Sequence, residues 1–218
     1  MNQPRDHATT PPADSAPTYY ECPLCGYLSS DIAFGGGTKA CPKCGAAGDS
    51  RRTYPTDRLR RLDERIRRYH AEGESEIVVI LVAAFLEAIL EDILDRIMQG
   101  HGADVQIRRV VLDCQRSIGG RIGHVFPGLT NTEFEDIASE LGFREFPHSW
   151  RMLREARNSF IHDSPFSTVR ESIDQGMGDR AINLLDQAYR LFVRINNRFV
   201  ADGMSKRPDA KSRRNGRR

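Results

Sequence analysis

The chain has 218 residues, 39% of them hydrophobic and 28% charged, with a formal net charge of +2. That length suits one medium domain plus something small, and so balanced a charge carries little information about partners by itself. The longest apolar run, Ile77 to Leu90, contains Glu87 and is followed by Glu91, Asp92 and Asp95, so it falls short of the ~20 residues that a membrane span requires.

The first 17 residues are polar and proline-rich, without the apolar segment of a secretory signal, and are expected to be disordered. The chain is accordingly expected in the cytoplasm. Next come "CPLCG" and "CPKCG", which place Cys22, Cys25, Cys41 and Cys44 in a C-x2-C-x15-C-x2-C pattern. This spacing is that of a four-thiolate zinc ribbon over residues 18–50. Two residues between thiols let one turn present both sulfurs to one ion, and the following glycine permits the positive φ that the turn needs. The 15 residues between the pairs read as a hairpin-like loop too poor in apolar groups for a core, so the metal supplies the stability. Zinc in a structural role is the expectation; iron in a rubredoxin-like site uses the same ligand type. A closed four-cysteine site leaves no position for a substrate, so the ribbon reads as a folding staple or a contact surface for nucleic acid or protein.

Residues 51–68 hold eight arginines against three acids, and residues 204–218 hold seven Lys/Arg against one acid. Such segments are solvated faces or disordered ends, or else footprints for phosphates. The pattern from Arg51 to Val200 is helical, with no strand alternation. Asp57 is expected to cap a helix to about His70, and Ser75 a central helix to about Met98. Asp104 opens another helix, to about Ile118, where the cysteine outside the ribbon, Cys114, takes an apolar position expected in the core. "GGRIGHVFPG" reads as a loop. Thr130 with Glu133 forms a capping box, and the helix behind it ends at Gly142. Pro147 starts a helix to about His162, stopped by Pro165, and Asp179 caps a last amphipathic helix. The other histidines, among them His70, His101, His124 and His148, show no partner pattern. The fold class is therefore mainly α, a helical bundle over residues 51–202 behind a small zinc ribbon, with a basic disordered tail over 203–218.

One stretch of the Pro147 helix stands out: "ARNSFIHD", residues 156–163. At about 100° per residue, Arg157 falls in the apolar sector with Leu153, Phe160 and Trp150, whereas Asn158 and His162 lie on the polar side with Arg151 and Arg154. An arginine in an apolar sector must find a carboxylate, a phosphate or an exit to water. The apolar helix bearing "AAFLEAILEDIL", followed later by "RNSFIH", resembles the HEPN family of helical bundles, whose hallmark is Arg-x4-6-His with a polar residue after the arginine. The likeness spans about Arg58 to Val200.

The resemblance implies RNA cleavage without a metal, with Arg157, Asn158 and His162 as site residues. The histidine moves the proton of a 2′-hydroxyl, the arginine neutralises the phosphate, and the asparagine orients the group. The residue types agree, because histidine titrates near neutrality and arginine presents a fixed fork to phosphate oxygens. Arg157 and His162 nevertheless diverge by about 140° on a regular helix. The resemblance implies a homodimer in which two copies of the motif face one cleft, and a toxin or antiviral-defence setting with a neutralising or activating protein partner. A second reading pairs Arg157 with Glu87, the first acid of a Glu87/Glu91/Asp95 stripe, inside a non-catalytic adaptor.

Overall fold

A computed structural model of the chain describes residues 17–48, 50–162 and 173–201. The expected disordered N-terminus, the basic tail and Pro165 lie outside the described residues. Among the described residues the chain is mainly helical, with one small N-terminal sheet, and no helix is long and apolar enough to cross a membrane.

The N-terminal module is built on three short antiparallel strands, β1 (Tyr19–Glu21), β2 (Leu28–Ser29) and β3 (Arg52–Tyr54), in the order β2-β1-β3. Tyr20 stands opposite Ser29 on one side and Thr53 on the other. Strand β3 corrects the expectation of no strand beyond Arg51: three residues are too few to display alternation. The segment between the cysteine pairs is more than a loop. Asp31 caps a single turn, α1 (Ile32–Gly35), which delivers Phe34 to the buried cysteines. Arg51, counted with the basic segment, is in fact buried. Its guanidinium lies 3.9 Å from the Phe34 ring centroid, and it donates to the carbonyls of Phe34, Lys39 and Ala46.

The bundle is organised around α3 (Ser75–Gly100), with α2 (Asp57–Ala71) and α9 (Gln175–Ile195) packed along it. Val78, Val82, Phe85, Leu86, Ile89, Ile93 and Ile97 on α3 are fully buried. One polar network crosses this core: the Tyr189 hydroxyl and Arg67 Nε donate to the two Asp63 carboxylate oxygens, each at 2.6 Å, and Arg67 Nη2 donates to Asp186 at 2.6 Å. Arg67, like Arg51, is thereby a structural member of the basic segment. Beside α3 stand α4 (Val105–Cys114), α5 (Ile118–Gly120), a π-helical turn (Arg121–Val125), α6 (Phe126–Thr130), α7 (Phe134–Glu140) and α8 (Phe146–His162). Phe126, Phe134, Phe146, Trp150 and Phe192 join these elements in an aromatic cluster.

Several boundaries differ from expectation, each for a tertiary reason. "GGRIGHVFPG" is helical rather than a loop, because Val125 and Phe126 are buried and Arg121 is tied to Glu91 at 2.8 Å. Thr130 closes α6, its hydroxyl donating to the Phe126 carbonyl, so the capping box with Glu133 does not form. Thr56, not Asp57, precedes α2, and Ser75 lies inside α3 with its hydroxyl donating to Gln175. Helix α9 begins at Gln175 with Asp174 accepting from the Met177 amide, whereas Asp179 pairs with His70 at 2.7 Å. Cys114 is exposed. It lies two residues, about 200°, from the one buried residue of α4, Leu112.

Candidate functional site

The four cysteines of the ribbon come together as their spacing implies. The Sγ atoms all lie within 4.8 Å of one another, with Cys22–Cys44 at 3.6 Å and Cys25–Cys41 at 3.7 Å. A tetrahedral ion with metal–sulfur bonds of about 2.3 Å has sulfur–sulfur edges of about 3.8 Å, so the donor set fits such a metal. Gly26 and Gly45, which follow each pair, adopt φ of 71° and 74°. Three of the thiols, Cys22, Cys25 and Cys44, hold their protons unequally. A hydrogen bond from Cys25 lowers Cys22 to about 4, the same bond raises Cys25, and burial raises Cys44 to about 11. A divalent cation relieves this by taking thiolates in place of protons.

The module is fastened to the bundle by two adjacent asparagines in a second π-helical turn, Asn196–Val200. The Asn197 side chain accepts from the Leu28 amide at 2.7 Å and donates to the Leu28 carbonyl at 2.8 Å, imitating a neighbouring strand. Asn196 donates to the Gly26 carbonyl and accepts from Arg96, which also forms a forked pair with Glu21. Sequence reasoning assigns these asparagines no role; two amides side by side at the apolar end of α9 are the available signal.

On α3, the acidic stripe that stands out in the sequence is matched acid for acid by arginines from three other elements. Asp95 takes Arg108 of α4 at 2.5 Å, Glu91 takes Arg121 of the first π turn at 2.8 Å, and Glu87 takes Arg157 of α8 at 3.5 Å. The Arg157 pair is the loosest. Its side chain is 29% exposed, against 13% for Arg108 and 10% for Arg121. Arg157 Nη1 also donates to Asn158 Oδ1 at 3.2 Å, while its buried Nε has no acceptor.

Helix α8 buries Trp150, Leu153 and Ala156 but not the rest of its apolar sector. Phe160 and Ile161 are 44% and 47% exposed. Arg157 therefore stands where the helix leaves the core, half-buried, with Asn158 and His162 exposed. The structure brings Arg157, Asn158 and Glu87 together and places His162 on the exposed face of the same helix. Comparison of the chain with protein-family models, with curated proteins and with solved structures found no match.

Proposed function

We propose that the chain is a HEPN-type endoribonuclease with zinc held by Cys22, Cys25, Cys41 and Cys44 as a structural ion. One observation carries this reading: Arg157 sits between the Glu87 carboxylate and the Asn158 amide at the solvent end of α8, on the same element as exposed His162. A guanidinium steadied by a carboxylate, with its side chain 29% exposed where the helix meets solvent, suits a passing phosphate.

In this reading neutral His162 accepts the proton of a ribose 2′-hydroxyl as its oxygen bonds to phosphorus. The bond from phosphorus to the 5′-oxygen breaks, and that oxygen takes a proton from solvent. The products are a 2′,3′-cyclic phosphate and a 5′-hydroxyl. Arg157 offsets the charge that develops on the phosphate, and Asn158 and Glu87 hold it in place. The nucleophile is the substrate's own hydroxyl, so the step needs no metal-bound water. Exposed Phe160 and Ile161 agree with a homodimer that covers them and brings one chain's histidine toward the other's arginine.

The adaptor reading draws on a different observation: Arg157 is the third arginine of a series that clamps one acidic stripe. Incubation with mixed RNA in excess chelator separates the two. Wild type should yield cyclic-phosphate ends, and an Arg157→Ala/His162→Ala variant should not. Intact RNA with wild type, with binding retained, would establish the adaptor.

A further inference from the structure

A cavity of about 530 Å³ lies between the first π turn, α7 and the start of α8. Its size is within the roughly 300–1,000 Å³ typical of small-molecule sites. Arg144, Arg151 and Arg154 line it. Among the described residues none of these three arginines forms an ion pair, unlike Arg108, Arg121 and Arg157 on the acidic stripe. Glu133 and Glu135 also line the cavity, leaving a formal balance of one positive charge.

Trp150, 1% exposed, forms part of its wall. Gly119 and Gly123 form another wall, and a Cβ added at either would meet nothing within 4 Å. The open space there is a consequence of glycine, not of backbone need, since neither has a positive φ. On the rim, Arg151 Nη2 lies 3.0 Å from His148 Nδ1. A guanidinium can only donate, so Nδ1 is the acceptor in this contact.

The geometry points to this cavity as the seat of one nucleotide of a single-stranded RNA, flanking the bond cut at Arg157 and His162. The arginines take its phosphate, and Glu133 and Glu135 accept from base amines or ribose hydroxyls, groups that a bare phosphate lacks. Arg151, Arg154, Asn158 and His162 fall within about 80° of one another around α8, and Arg151 to His162 covers about 16 Å along it. The strand thus runs from the cavity along one helix face to Asn158 and His162.

The inference takes RNA as substrate from the proposed function, and a binding assay keeps the two separable. Anisotropy of a labelled single-stranded oligoribonucleotide is measured against a His162→Ala parent, which binds without cutting. Gly123→Phe fills the cavity without changing charge, and Arg151→Ala/Arg154→Ala removes two exposed or half-exposed cations. Both should keep the parent's helical circular dichroism and weaken binding about tenfold or more. The arginine variant should also reduce the slope of log affinity against log salt by about 0.7 for each phosphate that is no longer neutralised. Parent-like binding by Gly123→Phe overturns the inference, as does a parent that binds no RNA. Binding that depends on the cavity, in a wild-type chain that never cleaves, would remove the nuclease reading and leave this site standing.

Discussion

Replacing Glu87 with alanine separates a catalytic Arg157 from a structural one. The pair is 3.5 Å long and its side chains are 29% and 33% exposed, so solvent screens it and its loss should cost about 0.5 kcal/mol. For a chain of this size that is about 1–2 °C in melting temperature. Glu91→Ala is the control. Arg121 is 10% exposed at the side chain, pairs at 2.8 Å and also donates to the Gln115 and Leu112 carbonyls. Freeing this more deeply buried charge should cost about 1–2 kcal/mol, or about 2–8 °C. Cleavage should rank the other way. Glu87→Ala releases Arg157 from its place and should lower kcat about ten- to a hundredfold, Glu87→Gln should restore part of it, and Glu91→Ala should leave it near wild type. Thermal melts and single-turnover cleavage of one RNA read both axes. If Glu87→Ala destabilises as much as Glu91→Ala and cuts RNA at the wild-type rate, Arg157 is a structural clamp and the positioning argument is wrong.

Elemental analysis should find one zinc per chain, and Cys22→Ser/Cys25→Ser should release it while helical circular dichroism survives. Because Asn196 and Asn197 tie the module to the end of α9, the bundle's melting temperature should fall as well; metal-free protein purified without chelator would contradict the assignment. Asp92 carries a buried Oδ2 without a partner, and burial raises its pKa above the usual carboxylate value. A raised carboxyl contributes stability at low pH that is lost as pH rises through the folded-state pKa. Asp92→Asn should therefore gain stability relative to wild type with rising pH, and a difference constant across pH would refute that sign.

What could be read along the chain was whatever depends on neighbours in sequence. Cys22, Cys25, Cys41 and Cys44 were legible because a C-x2-C turn is local. Helix α3 was legible because a long apolar run has few other places to go. Asp104 was legible as a cap because its carboxylate reaches the Gln106 amide two residues on. Misreadings fell where distant groups decide. The glycine-rich segment at 119–128 folds as helix under burial of Val125 and Phe126, Asp179 answers to His70 over a hundred positions away, and Cys114 faces outward because Leu112 took the inward position.

The sequence by itself determined a helical bundle with a four-cysteine module at its front, since periodicity and ligand spacing are properties of short stretches. Only the tertiary structure decided what the charges do. Eight arginines between residues 51 and 68 look alike in sequence, yet Arg51 is buried over Phe34 and Arg67 is locked between Asp63 and Asp186. Arg157 holds Glu87, whereas Arg144, Arg151 and Arg154 line an open cavity. A guanidinium carries the same charge everywhere. Whether it closes the fold or stays open to solvent depends on the groups that packing brings within its reach, and those come from elements far apart in the chain.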